Sequence, residues 1–79
     1  MIIPHKYLNL DLSVINVSAL IIDKLKKHSL LTYDELLNMT INALGKNAKE
    51  VFPYSLNFLF LLDKLHYLPE LDVFQLNFD

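Results

Sequence analysis

This chain of 79 residues predicts a mainly α fold with a small β part: a winged helix-turn-helix-like domain of three helices filling residues 1–79. Three observations predict it. Three segments carry helical periodicity or helix-boundary residues. The second and third are parted only by a short polar break beginning at Gly45, the single glycine. Short pieces at both ends read as strands. A plain three-helix bundle is the alternative.

The first piece is Tyr7-Leu8-Asn9-Leu10-Asp11-Leu12, where apolar and polar residues alternate from Leu8 onward. That is the period of a strand. Pro4 confines such a strand to an edge or to residues after it. Ser13 suits an N-cap for a first helix over 14–28. Val14, Val17, Ile21 and Leu25 fall on one face, widened by Ile15 and Ile22, with Asn16, Asp23 and Lys27 opposite. Lys24, Lys26, Lys27 and His28 gather near its end. They form either a basic patch or, more simply, the positive charge that a helix C-terminus favours.

Thr32-Tyr33-Asp34-Glu35 is a capping box, with Thr32 at N-cap and Glu35 at N3. It opens a second helix that runs to about Leu44 and stops near Gly45. Tyr33, Leu36, Leu37, Ile41 and Leu44 make its apolar face. Residues 46–50 read as a polar loop. Pro53 suits the first turn of a third helix, 53–68, because the amide it lacks would be unpaired there. Pro69 ends that helix. After a turn at Pro69-Glu70-Leu71-Asp72, residues 73–78 read as a strand.

The third helix poses the functional question. Its sequence, PYSLNFLFLLDKLHYL, is apolar nearly all round. Leu56, Leu59, Phe60 and Tyr67 cover one arc, read as inward, and Phe58, Leu62 and Leu65 a nearly opposite one, read as outward. A winged-helix DNA reader presents basic and polar side chains from this helix; here Lys64 and His66 are the only basic residues. The helix is therefore central, packed on both sides, or it offers a face to a partner protein, and the two can coexist. Tyr54, Phe58, Leu61, Leu62 and Leu65 are the candidate partner-binding residues. Tyr7, Leu8, Leu10, Phe74 and Leu76 are candidates for strand pairing with a partner's sheet edge.

Composition narrows the alternatives. The formal net charge is −2, with seven lysines and no arginine. The usual bidentate reader of guanine and phosphate is missing, and no basic stripe marks a nucleic-acid surface. The absence of cysteine excludes disulfides and thiolate metal ligands. His5, His28 and His66 lack metal-site spacing, and Asp63 with His66 reads as a surface pair on one helix. The tyrosines, which could stack on bases, are explained more simply as the rim of a small core. No nucleophile elbow or glycine-rich phosphate loop is present. The expectation is no enzyme, no metal and no cofactor. The start, MIIPHKYLN, lacks a signal peptide's pattern. The longest apolar run, Phe58 to Leu62, is too short for a membrane span. The expected location is the cytoplasm.

MIIPHKYLNLDLSVI, HSLLTYDELLN and FPYSLNFLFLLDKLHYLPEL together resemble the small middle-component proteins of ABC-three-component systems. Met1, Ile2, Ile3, Pro4 and Lys6 match the family's opening motif. Thr32, Glu35 and Leu36 match its second helix, and Phe58, Leu61, Leu62 and Leu65 suit its third. One departure is the turn at Pro69–Asp72, which lacks the glycine of the family's hairpin and argues against a two-residue loop. The resemblance implies a non-catalytic adapter in bacterial anti-phage defence. Its partners would be an SMC-like ABC ATPase and an effector, a nuclease or another protein, with nucleic acid touched only through the complex. The alternative is a winged-helix DNA-binding regulator or DNA-contacting subunit, which rests on the order of elements alone.

Overall fold

The structure, a computed structural model, describes the backbone of residues 5–77 and the side chains of residues 13–77. The opening motif at Met1–Pro4 and the last residue of the expected strand, Phe78, lie outside the described residues. Five elements follow in order: α1 (His5–His28), α2 (Tyr33–Leu44), α3 (Ala48–Leu61), β1 (Leu65–Leu68) and β2 (Val73–Leu76).

The first correction concerns the N-terminal strand. The backbone of 5–12 is helical and continuous with α1, so Tyr7, Leu8 and Leu10 offer no strand edge. Ser13 is inside the helix and not its cap. The alternation at Leu8, Leu10 and Leu12 spans too few residues to separate the two periods. Leu10, Val14, Val17, Ile21 and Leu25 also continue one helical stripe. Of these, Val17, Ile21 and Leu25 are fully buried. Ile15, expected to widen the face, is half exposed.

α2 matches expectation at both ends. Thr32 Oγ1 accepts from the Glu35 amide at 3.1 Å, and Glu35 Oε1 accepts from the Thr32 amide at 2.9 Å. Gly45, at φ 96°, closes the helix with its N–H on Ile41 O. That left-handed φ is open to glycine at no steric cost. Inside the helix, buried Thr40 returns its hydroxyl to Leu36 O at 2.8 Å.

α3 is displaced from its expected span at both ends. It begins at Ala48, not Pro53, because its first amides find acceptors in the turn. Ala48 N–H donates to Gly45 O, Lys49 N–H to Lys46 O and Glu50 N–H to Asn47 O. Pro53 therefore sits inside the helix. The helix ends at Leu61, not Leu68. Asp63 adopts φ 59°, its N–H bonds Phe60 O, and the Lys64 N–H reaches back to Leu59 O at 2.9 Å. These are the paired bonds of a Schellman stop, and aspartate tolerates the left-handed residue better than most.

The released segment becomes β1, antiparallel to β2 in the register Leu65↔Leu76, His66↔Gln75, Tyr67↔Phe74 and Leu68↔Val73. Residues 69–72 form a four-residue loop, in keeping with the missing glycine. Leu71 N–H bonds Leu68 O, and Asp72 takes the left-handed φ of 55°. On its other side β2 meets Leu31, which exchanges both backbone bonds with Phe74 at 3.3 and 2.7 Å. The order across the sheet is Leu31, β2, β1. Helix, bridge, helix, short turn, helix and hairpin make a mainly α, winged-helix-like fold. The hairpin excludes the plain bundle.

The core gathers Val17, Ile21 and Leu25 of α1, Leu36 of α2, Phe52, Leu56 and Leu59 of α3, and Leu31, Leu65, Phe74 and Leu76 from the sheet side. α1 lies along α3, while α3 touches α2 and β1.

Candidate functional site

α3 has a buried face and an exposed one, both apolar. Ala48, Phe52, Ser55, Leu56 and Leu59 point into the core. Ser55 is held there by its hydroxyl, whose single proton is shared between Val51 O at 3.2 Å and Val14 O at 3.3 Å. Tyr54, Phe58, Leu61 and Leu62 follow at i, i+4, i+7 and i+8, on a stripe turned away from that core. They are 60, 36, 85 and 50% exposed. Four of the five candidate contact residues thus share one accessible surface. The fifth, Leu65, does not belong to it: 3% exposed, it fills the core from β1. Its opposition to Leu59 on a helical wheel lost meaning when the helix ended at Leu61.

The same break moves Phe60, expected inward, to a half-exposed flank on the hairpin side. There it joins an aromatic group that sequence periodicity did not reveal. Phe74, buried, is the floor. Tyr67, Phe60 and Tyr33 surround it with ring centroids 5.1, 6.1 and 6.4 Å away. Tyr33 also meets Phe52 edge-on at 5.1 Å. Asp72 completes the lining of this open hollow. The Tyr67 hydroxyl donates a short hydrogen bond to Asp72 Oδ1. That bond, then burial and the carboxylate's charge, hold the Tyr67 phenol above its ordinary pKa of 10.0. The cluster draws on α2, α3, β1, β2 and the hairpin loop. Its only sequence signal was an aromatic residue in each of the elements that meet there.

The strand-pairing candidates Phe74 and Leu76 are buried in β2. Phe74 is enclosed by β1 on one side and Leu31 on the other, so among the described residues β1 is the strand with no second backbone segment paired beside it. A second groove, between α1 and the junction of α2 with α3, is lined by Ser13, Asn16, Val17, Leu44, Asn47, Ala48 and Val51.

Among the described residues, no three His, Cys, Asp or Glu side chains come close enough to hold a metal. Asp63 closes a helix and His66 lies in β1, so the expected i, i+3 pair on one helix does not form. Lys26, Lys27 and His28 lie in the last turn of α1, where Lys27 pairs with Asp23 at 3.4 Å. On the exposed part of α3 the charges are Lys49 and Glu50, which cancel. No helix among the described residues is long and apolar enough to cross a membrane.

No curated protein and no solved structure matches the chain. A family model described as ABC-three component (ABC-3C) system Middle Component 8 matches residues 29–77. The matched stretch runs from the end of α1 through α2, α3 and the hairpin. It contains the resemblance residues Thr32, Glu35, Leu36, Phe58, Leu61, Leu62 and Leu65, and it leaves out the opening motif through Lys6. The match covers more than half of the chain, which therefore belongs to the Middle Component 8 family of ABC-three-component systems.

Proposed function

We propose that this middle component is a non-catalytic adapter, linking an SMC-like ABC ATPase to an effector protein in a bacterial anti-phage complex in the cytoplasm. A component of a multi-component system works with partner proteins. The observation that carries the adapter reading is the outward stripe of Tyr54, Phe58, Leu61 and Leu62 on α3. A DNA reader would carry polar and basic groups at that place. An apolar stripe on a helix otherwise anchored in the core is what a protein groove takes up. Each Leu or Phe buried there contributes roughly 1.5–3 kcal/mol.

Co-expression with the products of the adjacent genes, followed by pull-down, tests this reading. Leu61→Asp is the informative variant. Its side chain is almost free of the rest of the chain, so the charge costs nothing until a partner desolvates it. The wild type should co-purify with the ATPase or the effector, and Leu61→Asp should not. A monodisperse wild-type monomer that captures neither would end the adapter reading. The three-residue turn between α2 and α3, followed by a hairpin, keeps DNA contact as a second reading. Salt-dependent duplex binding by the isolated chain at micromolar strength or tighter would place it first.

A further inference from the structure

We propose that the hollow lined by Tyr33, Phe60, Tyr67, Phe74 and Asp72 is a binding slot for an arginine side chain of a partner protein. Three properties select that occupant. The walls are aromatic faces around a buried Phe74 floor, and a cation over such faces is drawn by their quadrupoles. The lining carries one anionic group, Asp72. The Tyr67 hydroxyl occupies Oδ1 of that carboxylate and fixes its direction. No cation among the described residues pairs with Asp72, whose Oδ2 is left for a second donor. A guanidinium fits this set better than an ammonium. It is flat, stacks on rings, is weakly hydrated, and turns a fork of N–H donors toward a carboxylate.

The guanidinium must come from another molecule, because this chain has no arginine. An ammonium, by contrast, could come from one of the seven lysines of a second copy of the chain, which makes lysine the competing probe. That the arginine belongs to a partner in the complex rests on the adapter reading. That the slot takes a guanidinium does not.

The test uses the full chain and N-acetyl-arginine amide as probe, with N-acetyl-lysine amide beside it, followed by the ring resonances of Tyr33, Phe60, Tyr67 and Phe74. The arginine probe should shift these four rings saturably in the millimolar range, more than the lysine probe does. Asp72→Asn should weaken it about two- to fivefold, the size of an exposed charge pair. Asparagine tolerates the left-handed backbone of position 72, so the loop survives the change. Tyr67→Phe keeps the wall but releases the carboxylate that the hydroxyl orients, so it too should weaken the arginine probe. Absence of saturable shifts, equal shifts from lysine, or indifference to Asp72→Asn would each overturn the slot. Failure of the pull-down with a normal probe titration would remove the adapter and leave the slot. A successful pull-down with a silent probe would do the reverse.

Discussion

Leu59 and Leu61 stand two residues apart on α3. One is 1% exposed and the other 85%. The same contrast runs along the helix, Phe52, Leu56 and Leu59 against Tyr54, Phe58, Leu61 and Leu62. The two faces are matched in residue type and differ in what covers them. α1, α2 and the hairpin cover the inner face, and among the described residues little covers the outer one. With a core this small, the chain cannot enclose a helix on every side. Apolar content that would be structural in a larger domain is here left as surface, where its stabilisation becomes available only on association.

The sharpest way to break the contrast is to place the same charge on both faces. Leu59→Asp sets a carboxylate in a site with no water and no counter-ion, a cost of several kcal/mol. A domain of this size holds about 4–12 kcal/mol in total. The variant should lose its helical circular dichroism at room temperature. Leu61→Asp should melt within about 0.5 kcal/mol of the wild type, as surface changes do. If both unfold, α3 is covered on both sides and its outer stripe is no interface. If both fold, the inner face is not the core.

The two ends of α3 explain what was readable in the sequence. α2 was legible at both termini, because a capping box and a glycine are local devices written in adjacent residues. The core stripe of α1 was legible because its period persists over many turns. The end of α3 was not. Its stop is an aspartate in a left-handed conformation, secured by Asn77, which donates its N–H to Lys64 O and its side-chain amide to Asp63 O. That support comes from the far strand of the hairpin. A proline eight residues past the true end gave the louder signal. Misplacing that stop carried Leu65 onto the surface and Phe60 into the core, and hid the aromatic hollow. The outer stripe was legible as an excess of apolar residues, since four of its members precede the stop.

A smaller effect separates local from tertiary support. Thr32→Ala removes the acceptor of the Glu35 amide and leaves the reciprocal bond without its mate. The expected loss is about 0.5–2 kcal/mol. For a chain of this length that lowers Tm by several degrees, about 4–8 °C per kcal/mol. An unchanged Tm would mean that packing of Leu36 alone holds the start of α2.

Smaller again, and opposite in sign, is Ser18. Its hydroxyl is buried in α1 and has no hydrogen-bond partner among the described residues. The carbonyl one turn back, Val14 O, already accepts from Ser55. An unpaired buried hydroxyl is a cost that alanine removes. Ser18→Ala should leave stability unchanged or raise it by up to about 1 kcal/mol in urea denaturation. A loss comparable to that at Thr32 would mean that Ser18 has an acceptor.

The finest test concerns the second aromatic surface, where a polar group meets the rings. The Tyr67 phenol is held above 10.0 first by its bond to Asp72, then by burial and the carboxylate's charge. The folded state therefore keeps this proton to a higher pH than the unfolded chain does. The stability gained is complete below pH 10. It fades as pH rises through the folded value, because the unfolded state then gains by ionising first. Asp72→Asn removes the charge and weakens the acceptor, so Tyr67 should ionise at a lower pH in that variant. Tyr67→Phe should erase the hairpin's share of the alkaline loss. Following the Tyr67 ring by NMR from pH 8 upward reads the shift directly. An unchanged midpoint in Asp72→Asn would mean that the bond does not form in solution.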